Sequence, residues 1–158
     1  MAGSGHSGAA LTLADHVFSI TCTETIQAPR DAVFALAGDY ANDPKWRTGV
    51  ESMRYEPDGP PGVGRYTREV MRVLGRRAET VGEIVAYSPT RTAFRSISGP
   101  VTCDGIRDFA RTANGTTFTY TLTLYPTGAL RLMEPMLRWM LKRQVRRDVR
   151  RLKRQLEP

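Results

Sequence analysis

Residues 102–125 read TCDGIRDFARTANGTTFTYTLTLY, two runs of alternating apolar and polar side chains on either side of Asn114-Gly115. Alternation with a period of two marks a half-buried strand, and Asn-Gly suits a two-residue hairpin loop, which needs positive φ at both positions. With Asn114-Gly115 as the loop, Ala113 pairs with Thr116, Phe118 faces Arg111, Tyr120 faces Phe109 and Leu122 faces Arg107. Directly paired residues share one side of a sheet. One face then carries Arg107, Phe109, Phe118, Tyr120, Leu122 and Leu124; the other carries Asp104, Asp108, Thr117, Thr119, Thr121 and Thr123. The second face is solvated, and Arg107 falls among the apolar residues.

The same reading extends outward. Residues 16–27, HVFSITCTETIQ, alternate so that Phe18, Ile20, Cys22, Glu24 and Ile26 share one face, which places Glu24 on an apolar side. Ala28-Pro29-Arg30-Asp31 opens a short helix that Gly38 closes, and a second short helix is expected around Asp43–Trp46. Strands follow at Val50–Tyr55, Tyr66–Leu74, Arg77–Tyr87 and Thr92–Ile97. With Gly75-Arg76 as a hairpin loop, Arg72 stands opposite Glu79, Arg68 opposite Glu83 and Val70 opposite Val81. From Leu130 to Leu156, apolar residues recur every three or four positions, which predicts one long helix, with Pro135 either in its first turn or at a kink. The order predicts an α+β fold: a seven-stranded curved antiparallel sheet, two short helices after the first strand, and a long C-terminal helix as the only element able to cover the apolar face. A curved sheet gripping a single helix leaves room for a cavity between them.

Charge and composition narrow the function. The chain carries 23 Lys+Arg and 16 Asp+Glu, a net +7. Residues 129–158 hold ten basic and three acidic residues, and residues 1–128 hold thirteen of each, so the whole excess belongs to the C-terminal segment. The only histidines are His6 and His16, neither in a motif, so no histidine-based metal site or nucleophile–histidine triad is expected. Gly59-Pro-Pro-Gly-Val-Gly64 has prolines where a phosphate loop needs backbone N–H groups. No cofactor and no metal are expected. Two isolated cysteines, Cys22 and Cys103, fit a reducing compartment, and a cytoplasmic protein is expected. Residues 1–14 read as a flexible tail before one domain over residues 15–158.

The ordered motifs carry a family resemblance over nearly the whole domain. They are Ile26-Gln-Ala-Pro-Arg-Asp-Ala-Val33, Asp39 to Pro44-Lys-Trp46 and Val50, and Gly62-Val-Gly64-Arg-Tyr66; Glu83 to Pro89-Thr-Arg91, Asn114-Gly-Thr-Thr117 and Leu152-Lys-Arg-Gln-Leu-Glu157 follow. In this order and spacing they resemble the polyketide cyclase/dehydrase group of the START-like, helix-grip superfamily. The resemblance implies a ligand cavity between sheet and helix, and a hydrophobic, polyketide-like small molecule as ligand. It leaves open whether the protein carries or sequesters that molecule or is a cofactor-independent cyclase/dehydratase.

Candidate site residues follow from the faces. Glu24, Arg107 and Tyr120 are polar groups on apolar faces, able to orient a ligand oxygen or to serve in proton transfer and oxyanion binding, or simply to pair with one another. Tyr66 is a further candidate hydrogen-bond donor. Trp46, Phe94, Phe109, Phe118 and Leu122 are core residues or cavity wall, with Trp46 in the region that serves as a lid in the resembling proteins. Met133, Met136, Leu137 and Met140 form the helix stripe, and methionine suits an adaptable binding surface. The run Lys142–Arg154, eight cations in thirteen residues, is a solvated face, or a surface for an acyl carrier protein or an anionic membrane. No aromatic platform is interleaved with it, so nucleic acid is not expected as a partner.

Overall fold

The alternating segments become seven strands of one sheet in the computed structural model, which describes residues 16–158. The segment 1–14, expected to be a tail, lies outside them. The strands are β1 (Phe18–Ile26), β2 (Val50–Glu56), β3 (Tyr66–Val73), β4 (Arg76–Ser88), β5 (Arg91–Ser98), β6 (Thr102–Thr112) and β7 (Gly115–Tyr125). Every neighbouring pair is antiparallel, in the order β1-β7-β6-β5-β4-β3-β2. On the outer face, hydroxyls pair across β1 and β7: Ser19 with Thr123 at 2.7 Å, Thr21 with Thr121 at 3.2 Å and Thr23 with Thr119 at 3.1 Å. The register slips between Val81 and Gly82, between Ile84 and Ala86, and between Val50 and Ser52. Such irregularities bend a sheet and give it curvature.

Both hairpins differ in detail from their sequence reading. The loop between β6 and β7 is Ala113-Asn114, so Phe109 stands opposite Phe118 and Arg107 opposite Tyr120. Gly115 already belongs to the ladder. A Cβ there would stand 2.1 Å from the Ile26 carbonyl oxygen, so glycine serves clearance from β1 at that position. The loop between β3 and β4 is Leu74-Gly75, with φ of +51° and +76°, as a type I′ turn requires. Arg72 therefore faces Arg77, Arg68 faces Val81 and Val70 faces Glu79. The charges still find partners: Arg68 bonds Glu79 and Glu56, while Arg72 and Arg77 share Glu51. Each correction moves the pairing by two residues, an even number, so every side chain keeps its face.

Between β1 and β2 lie α1 (Arg30–Ala37), a single 3₁₀ turn at Tyr40–Asn42 and α2 (Asp43–Trp46). The C-terminal helix is two pieces, α3 (Ala129–Leu132) and α4 (Glu134–Leu156), broken at Met133, with Pro135 in the first turn of α4. Pro135 has no N–H to give, and a first turn needs none from it. The two halves of α4 meet different surroundings. Val145, Val149 and Leu152 pack into the main core with Phe18, Ile20, Ile26 and Phe118. Met133 and Met136, at the other end, remain partly exposed. No helix among the described residues is long and apolar enough to cross a membrane.

Leu74 carries a positive φ that disfavours any residue with a Cβ other than Asn or Asp. Leu74→Asn creates the preferred Asn-Gly turn. It is expected to stabilise the fold by about 1 kcal/mol, read as a rise of about 2–4 °C in thermal midpoint.

Candidate functional site

The cavity follows from the split in α4. Its N-terminal half stands away from strands β2–β7 and leaves a space of about 460 Å³ between helix and sheet. Met133, Met136, Leu137, Met140 and Leu141 form the helix side. Met53, Met71, Val73, Phe94, Leu122 and Leu124 line the sheet side. Phe94 is seated by two glycines: a Cβ at Gly105 would stand 2.2 Å from its ring and one at Gly82 3.3 Å. The volume lies within the range of sites that enclose a small organic ligand.

Polar groups gather at one place in this wall. Arg47, Glu69, Tyr120 and Asp148 all line the cavity. Arg47 Nη1 donates to Glu69 Oε2 and, at 2.9 Å, to Asp43 Oδ2. Behind them, Arg107 forms a two-pronged pair with Asp43, at 2.8 Å and 2.6 Å, and donates to the Ala37 carbonyl at 2.8 Å. The Arg107 guanidinium also lies 4.3 Å from the Tyr40 ring centroid, 5.0 Å from Trp46 and 5.4 Å from Tyr120. Arg107, Asp43 and Tyr120 are buried. The Tyr120 hydroxyl has no protein hydrogen-bond partner among the described residues. Burial raises its pKa, against the pull of Arg47 and Arg107, so at neutral pH it is a donor. Asp148 accepts the Thr48 N–H at 2.8 Å. Burial holds its carboxyl above the usual aspartate value, against that hydrogen bond and Arg47. Burial pushes the Cys103 thiol up to about 11, so this cavity cysteine is no thiolate nucleophile at neutral pH.

The structure sorts the candidate residues. Phe94, Tyr120, Leu122, Met133, Met136, Leu137 and Met140 line the cavity. Trp46, Phe109 and Phe118 are buried in the main core, Trp46 packing edge-on against Phe118 and Tyr120. Arg107 sits behind the cavity wall and serves Asp43, not Glu24. Glu24 does lie on the inner side, opposite Phe118, but at the end of the sheet that α4 covers with cations; Lys153 is 3.6 Å and Arg150 4.0 Å from its carboxylate. Tyr66 points outward and is exposed, because the inner face of β3 carries Thr67, Glu69, Met71 and Val73.

Sequence reading did not single out Arg47, Glu69 and Asp148. Two of them left a signal. Glu69 shares a strand face with Met71 and Val73, and Asp148 interrupts the apolar stripe Val145, Val149, Leu152. Arg47 lies in a loop, where no periodicity betrays direction. Among the described residues no cluster of metal-ligating side chains occurs.

A family model described as polyketide cyclase / dehydrase and lipid transport matches residues 17–157. Among solved structures, the Zhui aromatase/cyclase from Streptomyces sp. R1128 superposes with a TM-score of 0.76 at 17% identity, covering 89% of this chain and 94% of that one. TTHA0849 from Thermus thermophilus gives 0.75 at 21% identity, with 88% and 97% covered. The di-domain ARO/CYC BexL from the BE-7585A biosynthetic pathway gives 0.72 at 21% identity, with 90% of this chain matching 51% of that one. No curated protein matches the sequence.

Two stability measurements test the polar cluster. Asp43→Asn leaves Arg107 and Arg47 facing a neutral amide and is expected to cost about 3–5 kcal/mol in chemical denaturation. The double variant Asp43→Leu/Arg107→Met, with both charges removed, is expected to lose less. The raised pKa of Asp148 means that the folded chain binds its proton more tightly than the unfolded chain. Its contribution is therefore fully present below the usual carboxylate range and lost as pH rises through the raised value. Asp148→Asn, whose amide oxygen can still accept the Thr48 N–H, is expected to be more stable than the parent at pH ~7 and to lose that advantage near pH ~3.

Proposed function

This chain belongs to the polyketide cyclase/dehydrase and lipid transport family, and on that premise we propose that it encloses a largely apolar, polycyclic, polyketide-like molecule in the α4–sheet cavity, as a carrier or sequestering protein. The observation that carries the reading is the composition of the wall. Its apolar side chains are led by methionine and leucine, and in its polar patch the Tyr120 hydroxyl, unpartnered among the described residues, lies beside Arg47 and Glu69. An apolar pocket with a few convergent polar groups binds by burial and orients by hydrogen bonds. A ligand carbonyl or phenol oxygen at Tyr120 supplies the partner that the described residues do not. The ionic groups of the patch already satisfy one another: Arg107 and Arg47 share Asp43, and Arg47 also holds Glu69. A patch whose charges are spent internally favours binding over proton abstraction.

A second reading rests on Asp148. Burial raises the pKa of this cavity carboxyl, which favours its protonated form and lets it act as a proton donor. With Tyr120 and Arg47 polarising a ketone, it would support aldol cyclisation or dehydration of a poly-β-ketone held by the cavity shape.

Titration with 1,8-dihydroxyanthraquinone and with anthracene, followed by NMR, separates shape from hydrogen bonding. Both are expected to bind, the quinone more tightly. Tyr120→Phe is expected to weaken the quinone about 2–10-fold, leave anthracene unchanged, and leave the empty protein as stable or more so. Absence of binding by either compound would overturn the chamber. Turnover of a poly-β-ketone that is lost in Asp148→Asn while binding persists would decide for the enzyme.

A further inference from the structure

The mouth of the cavity has an unusual rim. On one side stands the β3–β4 turn, where Leu74 is 76% exposed in a backbone conformation that disfavours it, followed by the exposed Arg76 and Arg77. On the other side stands the start of the C-terminal helix pair. Met133 and Met136 line the cavity while remaining exposed, and Leu132 beside them is 88% exposed. Met136 begins a row along the outside of α4 that continues through Trp139, 63% exposed, to Arg143, Arg146, Arg150 and Arg154. Steps of three and four residues keep that row on one side of a helix. Its first part is apolar and its remainder cationic. Arg143 lies 5.6 Å from the Trp139 ring centroid. Among the described residues, Arg143, Arg146 and Arg147 have no acidic partner; the helix acids are engaged elsewhere, Glu134 with Arg138 and Asp148 with the Thr48 N–H.

We propose that this mouth docks on an anionic lipid bilayer, with Leu74 on one rim and Leu132, Met136 and Trp139 on the other entering the headgroup region and the arginines of α4 holding lipid phosphates. Leu74 and Met136, from two separate elements, line the same cavity; Leu132 and Trp139 neighbour Met136 on the helix side, and cations stand beside both, Arg76 near Leu74 and the α4 arginines beyond Trp139. A bilayer accepts projecting apolar tips into its interior and offers anions at its surface. A folded acidic partner offers the anions but would need pockets for the tips. Leu74 strengthens the assignment. Asparagine would suit the turn better, so an exposed leucine kept there at a cost in stability points to a role outside the fold. Tryptophan at the boundary between the apolar and cationic parts matches its preference for the membrane interface. In this orientation the cavity opens toward the bilayer, and an apolar ligand can pass between them without crossing water. That last step rests on the ligand-chamber reading; docking itself does not.

The test is co-sedimentation with vesicles of phosphatidylcholine alone and with vesicles in which about a third of the lipid is phosphatidylglycerol. Binding to the anionic vesicles only, weakened by salt, is expected, with a blue shift of tryptophan emission. Trp46 is fully buried already, so the shift reports Trp139, and Trp139→Phe is expected to abolish the shift. Each arginine neutralised in Arg143→Gln/Arg146→Gln/Arg147→Gln is expected to weaken binding about fivefold at low salt. Leu74→Asn is expected to weaken it too while stabilising the fold, opposite signs that damage to folding would not produce. Anthraquinone binding without vesicles should be unchanged in Trp139→Phe and in the triple arginine variant, whose residues do not line the cavity, which separates failure of docking from failure of the chamber. Equal binding to neutral vesicles, or none to either, overturns the proposal. So does binding of a purified acidic acyl carrier protein, lost in the triple variant, with no vesicle binding; that outcome would assign the face to a protein.

Discussion

The Arg107–Asp43 pair fixes how the short helices meet the sheet. Arg107 belongs to the middle of β6, and Asp43 is the first residue of a four-residue helix that could not stand alone. A buried arginine costs several kcal/mol in lost hydration unless its donors are met. Here Asp43 and the Ala37 carbonyl meet two of its nitrogens, and three aromatic rings surround the guanidinium. The same Asp43 carboxylate receives Arg47, which reaches across to Glu69 on β3. One carboxylate thus ties the α1–α2 segment to both sides of the sheet's concave face. Two arginines and two carboxylates close the set at zero charge, which lets it sit against an apolar cavity.

That cluster also explains why the cavity lies where it does. The short helices and the C-terminal half of α4 fill the concave face over β1 and the adjoining ends of β6 and β7, where Trp46, Phe109, Phe118 and Leu152 form one core. Nothing of comparable bulk comes from the other end. The side chains that the first turns of α4 turn to the cavity are methionines and leucines that reach without filling, and two glycines on the sheet side hold Phe94 back against the wall. A helix gripped at one end and free at the other produces a chamber with a single polar patch at the boundary between packed and open halves.

Much of this is legible in the residues, and what is not has a physical cause. Alternation identifies strand faces, and faces survive any even error in pairing. Arg107 and Tyr120 therefore fall on the inner side by sequence alone, although both hairpin loops lie one residue earlier than their glycines suggest. A glycine marks a turn only when the turn is what requires it. At Gly115 the glycine answers to the neighbouring β1 carbonyl, and at Leu74 a leucine occupies a position that turn chemistry assigns to asparagine. Glu24 shows the other limit. Its face is readable, but which part of a shared face lies under the helix and which lies over the cavity depends on packing between distant segments. Arg47 is out of reach for the same reason, since its partner Glu69 lies 22 residues away on β3.

The choice between carrying and catalysis turns on a small part of this arrangement. A general base must be ionised and not already committed, and in this cavity Glu69 is committed to Arg47. Tyr120 is held protonated by its burial and does not act as a phenolate base at neutral pH. Among the cavity carboxyls, Asp148 has a pKa that burial raises, and it accepts the Thr48 N–H. The fold is shared by proteins named as aromatase/cyclases, yet a chamber of donors without a free acceptor can hold a ligand and do nothing further to it. Whether this chain does more is therefore a question about one carboxyl, and ligand binding itself can alter the answer: an apolar ligand against Asp148 excludes water, raises the cost of its charge and keeps the proton on it, which favours the carrier unless the ligand presents a group that takes that proton.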